Sequence, residues 1–313
     1  MHWHQDTLTI PKNKLGSVMA MADFKVIHKT KYSYDDTVAY CHNMAHMYPL
    51  TSPHQDCFRT HVTVNPKPVV SSFRRDYFGN QVFLFSVEDP HRFLEVVVES
   101  TVRTHQSLGI DLYKSTPWEN IYSLIHESTL DADILSIEYI LPSSFIAAKD
   151  SYSEFARMFF TDGKPVFVAA LEMTTYIYQT FQYDPKATSI NTPIDQVLNE
   201  KKGVCQDFSH LMIAALRSLK IPTRYVSGYL ETLPPPGTEK LQGSDATHAW
   251  VSVYCPMFGW MDFDPTNGKI ITEEYIITAI GRDYADVSPL KGILFGGGKH
   301  KLKVEVDVIR EQI

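Results

Sequence analysis

The sequence predicts an α+β protein: an amino-terminal antiparallel β-sandwich over residues 22–104, then a unit over 105–313 with helices first and an antiparallel sheet afterwards. Three observations carry this expectation. Short runs rich in Val, Phe and Thr, divided by turn residues, fill the first hundred positions. From about residue 115 the apolar spacing becomes helical, and after Ile221-Pro222 the β pattern returns.

Residues 1–21 have no clear period and read as a disordered tail before a strand-like run at 24–28. Runs 60–64, 81–87 and 93–102 are the next strands, separated by turn signals such as Asn65-Pro66, Gly79-Asn80 and Asp89-Pro90-His91. Thr116-Pro117-Trp118-Glu119 predicts a helix start, with a hydroxyl cap, Pro at the first helical position and an acid in the first turn. A second helix is expected at 166–181, and a third at 206–219 with apolar residues at 208, 211, 212, 215, 216 and 219. Strands follow at 223–230, 248–254, 260–264 and 301–309, and the Pro-rich stretch within 231–247 reads as a stiff surface loop placed to form a lid.

Composition narrows the function. Of 313 residues, 44% are apolar and 21% charged, as in globular chains. The net charge of −7, with no block of five basic residues, argues against a dedicated nucleic-acid binder. The longest apolar runs, such as 211–216, fall short of the roughly 20 residues of a membrane span. The start, MHWHQDTLTI, lacks a basic stretch followed by an apolar core, so a cytoplasmic protein without a membrane partner is expected. Four cysteines without a C-x-x-C pair point to reduced thiols, each to be judged by its neighbours.

Cys41 and Cys57 lie among His42, His46, His54 and His61, but the spacing fits no standard zinc pattern, and neither a metal nor a cofactor is expected. Alternation places Cys255 with Ala249, Val251 and Val253, as a small buried side chain. Cys205 differs, because Lys202-Gly203-Val204 forms a turn before it and a helix follows. Unpaired N–H groups and the helix dipole there favour a thiolate, lowering such a pKa from about 8.5 to roughly 3.5–7.5 when a histidine assists. The same N–H groups could hold an oxyanion. In the later strand His248 shares a more polar face with Trp250, Ser252 and Tyr254, and the next strand ends at Asp264. A short turn at 256–259 would set His248 beside Asp264; Asp262 shares its parity and competes for the role.

Three segments in order, Gly203-Val204-Cys205-Gln206-Asp207-Phe208, Asp245-Ala246-Thr247-His248-Ala249-Trp250 and Trp260-Met261-Asp262-Phe263-Asp264-Pro265-Thr266, resemble the transglutaminase-like superfamily of papain-type thiol enzymes. Arg75-Asp76-Tyr77-Phe78-Gly79-Asn80 and Glu88-Asp89-Pro90-His91-Arg92 resemble its bacterial amino-terminal region, and the likeness spans about 22–310. The resemblance implies a papain-like core with Cys205 as nucleophile, His248 as general base and acid, and Asp264 orienting the imidazole. It implies a peptide or protein substrate and a thioester resolved by water, as in a cysteine peptidase or amidase. Resolution by an amine, as in a transglutaminase, is the alternative, and an idle scaffold the third reading. Asp207 reads as a first-turn helix acid and His210 as a packed histidine.

Overall fold

The computed structural model describes residues 21–105, 109–232, 243, 245 and 247–311. The expected tail lies outside the described residues except for Met21, which opens a strand, and most of the expected lid at 231–247 lies outside them too. Strands β1 (Met21–Ala45), β2 (Gln55–Asn65), β3 (Val70–Arg75), β4 (Gln81–Val87) and β5 (His91–His105) come first. Burial alternates along β1 through Thr30, then the pairing register breaks between Ser33 and Val38, beside the exposed acids Asp35 and Asp36. Such a break bends a strand. Here it lets β1 run for 25 residues and serve two layers, far beyond the 24–28 that the local pattern predicts.

The second unit contains α1 (Trp118–Glu127), α2 (Asp131–Ser136), α3 (Asp150–Arg157), α4 (Val166–Thr180), β6 (Gln182–Tyr183), α5 (Ile194–Glu200), β7 (Lys202–Gly203) and α6 (Cys205–Ser218). Then come β8 (Thr223–Leu230), β9 (Thr247–Cys255), β10 (Gly259–Asp264), β11 (Lys269–Ile270), β12 (Tyr275–Gly281) and α7 (Tyr284–Val287). The chain closes with β13 (Leu290–Gly296) and β14 (His300–Glu311). The expected cap on α1 is not made: Pro117 is its N-cap residue and no side chain caps it.

The first half of β1 lies between β5 and β14, the second half between β4 and β13. The sandwich is thus one sheet bent over itself, closed on Val38, Cys41, Phe83, Phe85, Leu94 and Val96. This corrects the boundary of the second unit. Residues 290–311, expected in the second unit with a strand at 301–309, pair with β1 and complete the amino-terminal sheet. Alternation tells a strand which face to bury, not which strand to join, and β1 leaves a long open edge to fill.

The second sheet runs β11-β10-β9-β8-β12, antiparallel throughout. Strand β12 escapes a reading by alternation because both its faces are buried. Helices cover one face through Phe167, Met173, Leu211, Val251 and Phe263. The amino-terminal sheet covers the other through Phe24, Val102 and Val306 against Tyr229 and Ile276. Hence the face holding Trp250 and Ser252, expected to be the more polar one, is buried. Helix α6 is buried on all sides from Asp207 to Arg217, as befits a central helix. Its Arg217 donates to the carbonyls of Thr223, Arg282 and Leu141, tying the helix end to three segments.

The outer edge of β12 is closed by side-chain amides of the first sheet. Gln55 accepts from the Ile277 N–H at 2.7 Å and donates to its carbonyl at 2.8 Å. Asn80 does the same at Ile280, at 2.8 and 2.7 Å. Replacing Gln55 with Ala leaves the Ile277 N–H buried and unpaired, which costs about 1–3 kcal/mol. Urea unfolding of Gln55→Ala should therefore show a lowered midpoint with an unchanged slope; an unaltered midpoint would refute this account of the edge.

Candidate active site

Cys205 is the first residue of α6, and local geometry fixes it there. Asp207, in the first turn, accepts from the Val204 N–H at 2.8 Å and from the Thr188 hydroxyl at 2.6 Å, closing the helix start from within. Burial nevertheless raises the Asp207 pKa, with those two hydrogen bonds opposing the rise. Gly203 is required, since a Cβ there would lie 2.8 Å from that of Asp207. The thiol is free and the residue half-buried, at a helix start whose first N–H groups have no partner within the helix.

His248 enters from β9, where it pairs with Gly228 of β8. A Cβ on Gly228 would sit 2.1 Å from the Ile276 carbonyl oxygen, so the sheet can close only over glycine here. The imidazole Nε2 lies 2.7 Å from Asp264 Oδ2, and the Cys205 side chain is among the groups that act on the ring. With Nε2 committed to the carboxylate, Nδ1 is the nitrogen left for the sulfur. Burial disfavours the imidazolium, but hydrogen bonds to Asp264 and Cys205 and their charges prevail and push His248 up to about 10.

Asp264 has a side chain with 0% exposure, against 10% for His248. Its Oδ1 accepts from the N–H groups of Thr266 and Asn267, at 2.8 and 3.2 Å. Its Oδ2 accepts from Asn267 Nδ2 at 2.6 Å and Tyr275 Oη at 2.7 Å as well as from His248. Burial alone would raise its pKa; these donors lower it, so the carboxylate stays ionised. The competitor, Asp262, is turned away: its Oδ2 accepts from Trp250 Nε1 at 2.9 Å. That indole lies edge-on to Tyr275 at 5.3 Å and beside His248 at 6.1 Å, forming an aromatic wall.

The structure therefore brings Asp264 and Cys205 to the same imidazole, and sequence reasoning missed the supports around them. Asn267 lies three residues past Asp264 in the same turn, a spacing that signals Asx-turn chemistry. Tyr275 gave no signal, because its strand lacks alternation. His210 is a packed histidine: its Nε2 accepts from the Tyr284 N–H, its ring stacks on Phe145 at 5.3 Å, and burial lowers it to about 4. Cys255 sits in the core, where its sulfur accepts from the Thr116 N–H. The histidines near Cys41 and Cys57 find separate partners, His42 with Ser86 and His46 with Asp76. Among the described residues no three His, Cys, Asp or Glu side chains gather as metal ligands.

Residues 154–265 match the transglutaminase-like superfamily, and residues 24–103 the bacterial transglutaminase-like N-terminal region. An uncharacterized protein of Mycobacterium tuberculosis is 36% identical over 291 residues, 91% of this chain and 92% of that one. A protein-glutamine gamma-glutamyltransferase of Pseudomonas aeruginosa is 34% identical over 102 residues, 32% of this chain and 15% of that protein. A solved structure from Cytophaga hutchinsonii, provisionally named a cysteine protease, has a TM-score of 0.72 at 22% identity and covers 95% of this chain and 94% of its own.

The site makes a direct electrostatic prediction. In Asp264→Asn the charge and acceptor that hold the His248 proton are gone while burial persists, so its pKa should fall from about 10 to below the ordinary 6.5. An NMR titration of the ring nitrogens reads this, with Asp262→Asn expected to leave the midpoint unmoved. Equal effects from both variants would refute the assignment of Asp264.

Proposed function

Because this chain belongs to the transglutaminase-like superfamily, we propose that it is a thiol-dependent hydrolase, cleaving amide or isopeptide bonds of peptides or proteins through a thioester. The observation that carries the reading is an imidazole bound at one nitrogen to a buried carboxylate and interacting with a half-buried cysteine at a helix start. Such an imidazole stays protonated at neutral pH and stabilises a facing thiolate.

Sulfur of Cys205 attacks the amide carbonyl carbon, and the negative charge moves to the carbonyl oxygen, within reach of the Cys205 backbone N–H at the start of α6. His248 gives its Nδ1 proton to the departing nitrogen as the C–N bond breaks, which leaves an acyl–sulfur bond and a free amine. Water then attacks the acyl carbon while the now neutral His248 takes one of its protons. Collapse releases the carboxylic acid and restores the thiolate–imidazolium pair. Asp264 keeps the ring in the tautomer and orientation that both halves need.

Water needs no dedicated acceptor site, and this favours hydrolysis. Acyl transfer to an amine is the second reading, supported by the stretch shared with the glutamyltransferase. An idle scaffold is disfavoured by the intact Cys205–His248–Asp264 contacts.

Peptide amides offered together with a fluorescent primary amine test this. Hydrolysis predicts amine release without incorporation of the probe, and Cys205→Ala should lower the rate by about 10³-fold or more. Incorporation of the probe would install the transferase reading. No turnover, together with Cys205 alkylated no faster than Cys57, would sink both. The pH profile should fall on its alkaline side as pH rises through about 10, where His248 loses the proton it must donate.

A further inference from the structure

We infer that Tyr275 is a positioning residue for Asp264 and that the amino-terminal sheet is the device that holds it there, so that this sheet is a working part of the active site. The inference rests on the reading of Cys205, His248 and Asp264 given above, and it assigns the first sheet a role in that site.

Tyr275 Oη donates to the same carboxylate oxygen that receives His248 Nε2, at 2.7 Å in both cases. Two donors on one oxygen, with Asn267 Nδ2 as a third, fix where that oxygen lies and hence where the imidazole points. Tyr275 has little freedom of its own. Its ring meets Trp250 edge-on, and Trp250 in turn is bound to Asp262. The backbone on either side of it is gripped from the first sheet.

Two residues before it, the Glu273 carbonyl accepts from the Thr104 hydroxyl at 2.6 Å. One residue after it, Ile276 is packed among Phe24, Val102 and Val306. Two residues after it, Ile277 is bracketed by Gln55 and also accepts from the Leu50 N–H at 2.9 Å. The register with β8 shifts between Ile277 and Ala279, so the sheet's own ladder is irregular where these outside contacts attach. An edge strand with a local irregularity is the part of a sheet with the most freedom to move. Clamping it from Thr104, Leu50 and Gln55 removes that freedom at the strand carrying the tyrosine.

The other ionisable groups around Asp264 and Tyr275 are His248 on β9, Asp262 on β10, turned to Trp250, and Lys269 on β11, 5.4 Å from the Tyr275 ring and ion-paired with Glu274. None of them substitutes for the tyrosine as a hydroxyl donor to Oδ2.

The test uses the full chain and the downfield NMR signal of the His248 Nε2–H, which needs no substrate and no thiol reactivity. That signal is lost on the acid side when Asp264 takes a proton. In Tyr275→Phe the carboxylate loses a donor to its charged form, so half-loss should occur at about tenfold lower proton concentration than in the wild type. Gln55→Ala should move it in the same direction by a smaller factor, and Thr104→Val serves if that variant does not fold. Val64→Ala, which thins the first sheet's own core without touching β12, should leave it in place. An unmoved midpoint in Tyr275→Phe overturns the positioning role. A shift in Tyr275→Phe but none in Gln55→Ala or Thr104→Val, or an equal shift in Val64→Ala, overturns the part assigned to the sheet. Failure of the thiol reading would show separately, as ordinary alkylation kinetics at Cys205.

Discussion

The hydrogen bond between His248 and the fully buried Asp264 is the constraint on which the rest of the candidate active site depends. A carboxylate removed from water is costly unless donors replace its hydration. Here five hydrogen bonds do so: two from the backbone of the following turn, and one each from Asn267, Tyr275 and His248. Because the anion is stabilised this way, it keeps the imidazole charged, and Cys205 adds to the same effect. Removing the carboxylate's donors or its charge therefore propagates along the trio in one direction, towards the thiol.

Helix α6 supplies the other half of the site, and its own stability comes from polar groups that burial would otherwise penalise. Asp207 closes its first turn, His210 accepts a backbone N–H from α7, and Arg217 joins its last turn to the carbonyls around it. The sulfur thus stands at the mouth of a helix locked at both ends. A thiol on a fraying helix start would lose the fixed array of N–H groups that an oxyanion needs, because preorganisation is what gives such donors their effect.

The amino-terminal sheet does more than shield the back of the second sheet. A sheet edge presents unpaired N–H and C=O groups that must be covered, paired or exposed to water. Gln55 and Asn80 are amides that reproduce the donor and acceptor of a peptide, and they terminate the edge without adding a strand. The same contacts tie the backbone on one side of Tyr275 to the first sheet, and Thr104 ties the other. Packing of the two units and orientation of the trio are consequently parts of one contact network.

Much of this was legible in the sequence. Helix α4, helix α6 and strands β8, β9 and β10 lie within a residue or two of their expected limits, because period and turn residues are local signals. Cys205, His248 and Asp264 could be named from strand parity, from a helix start and from the resemblance of three short motifs. The choice between Asp262 and Asp264 follows in space from the indole of Trp250 claiming the former. Tyr275, the bend in β1 and the union of β13 and β14 with the first sheet came only from the tertiary structure. The physical reason is the same in each case: local sequence dictates a segment's conformation and which of its faces is apolar. Which partner satisfies its edges and buried polar atoms is decided among groups hundreds of residues apart, by where the whole chain can close its hydrogen bonds.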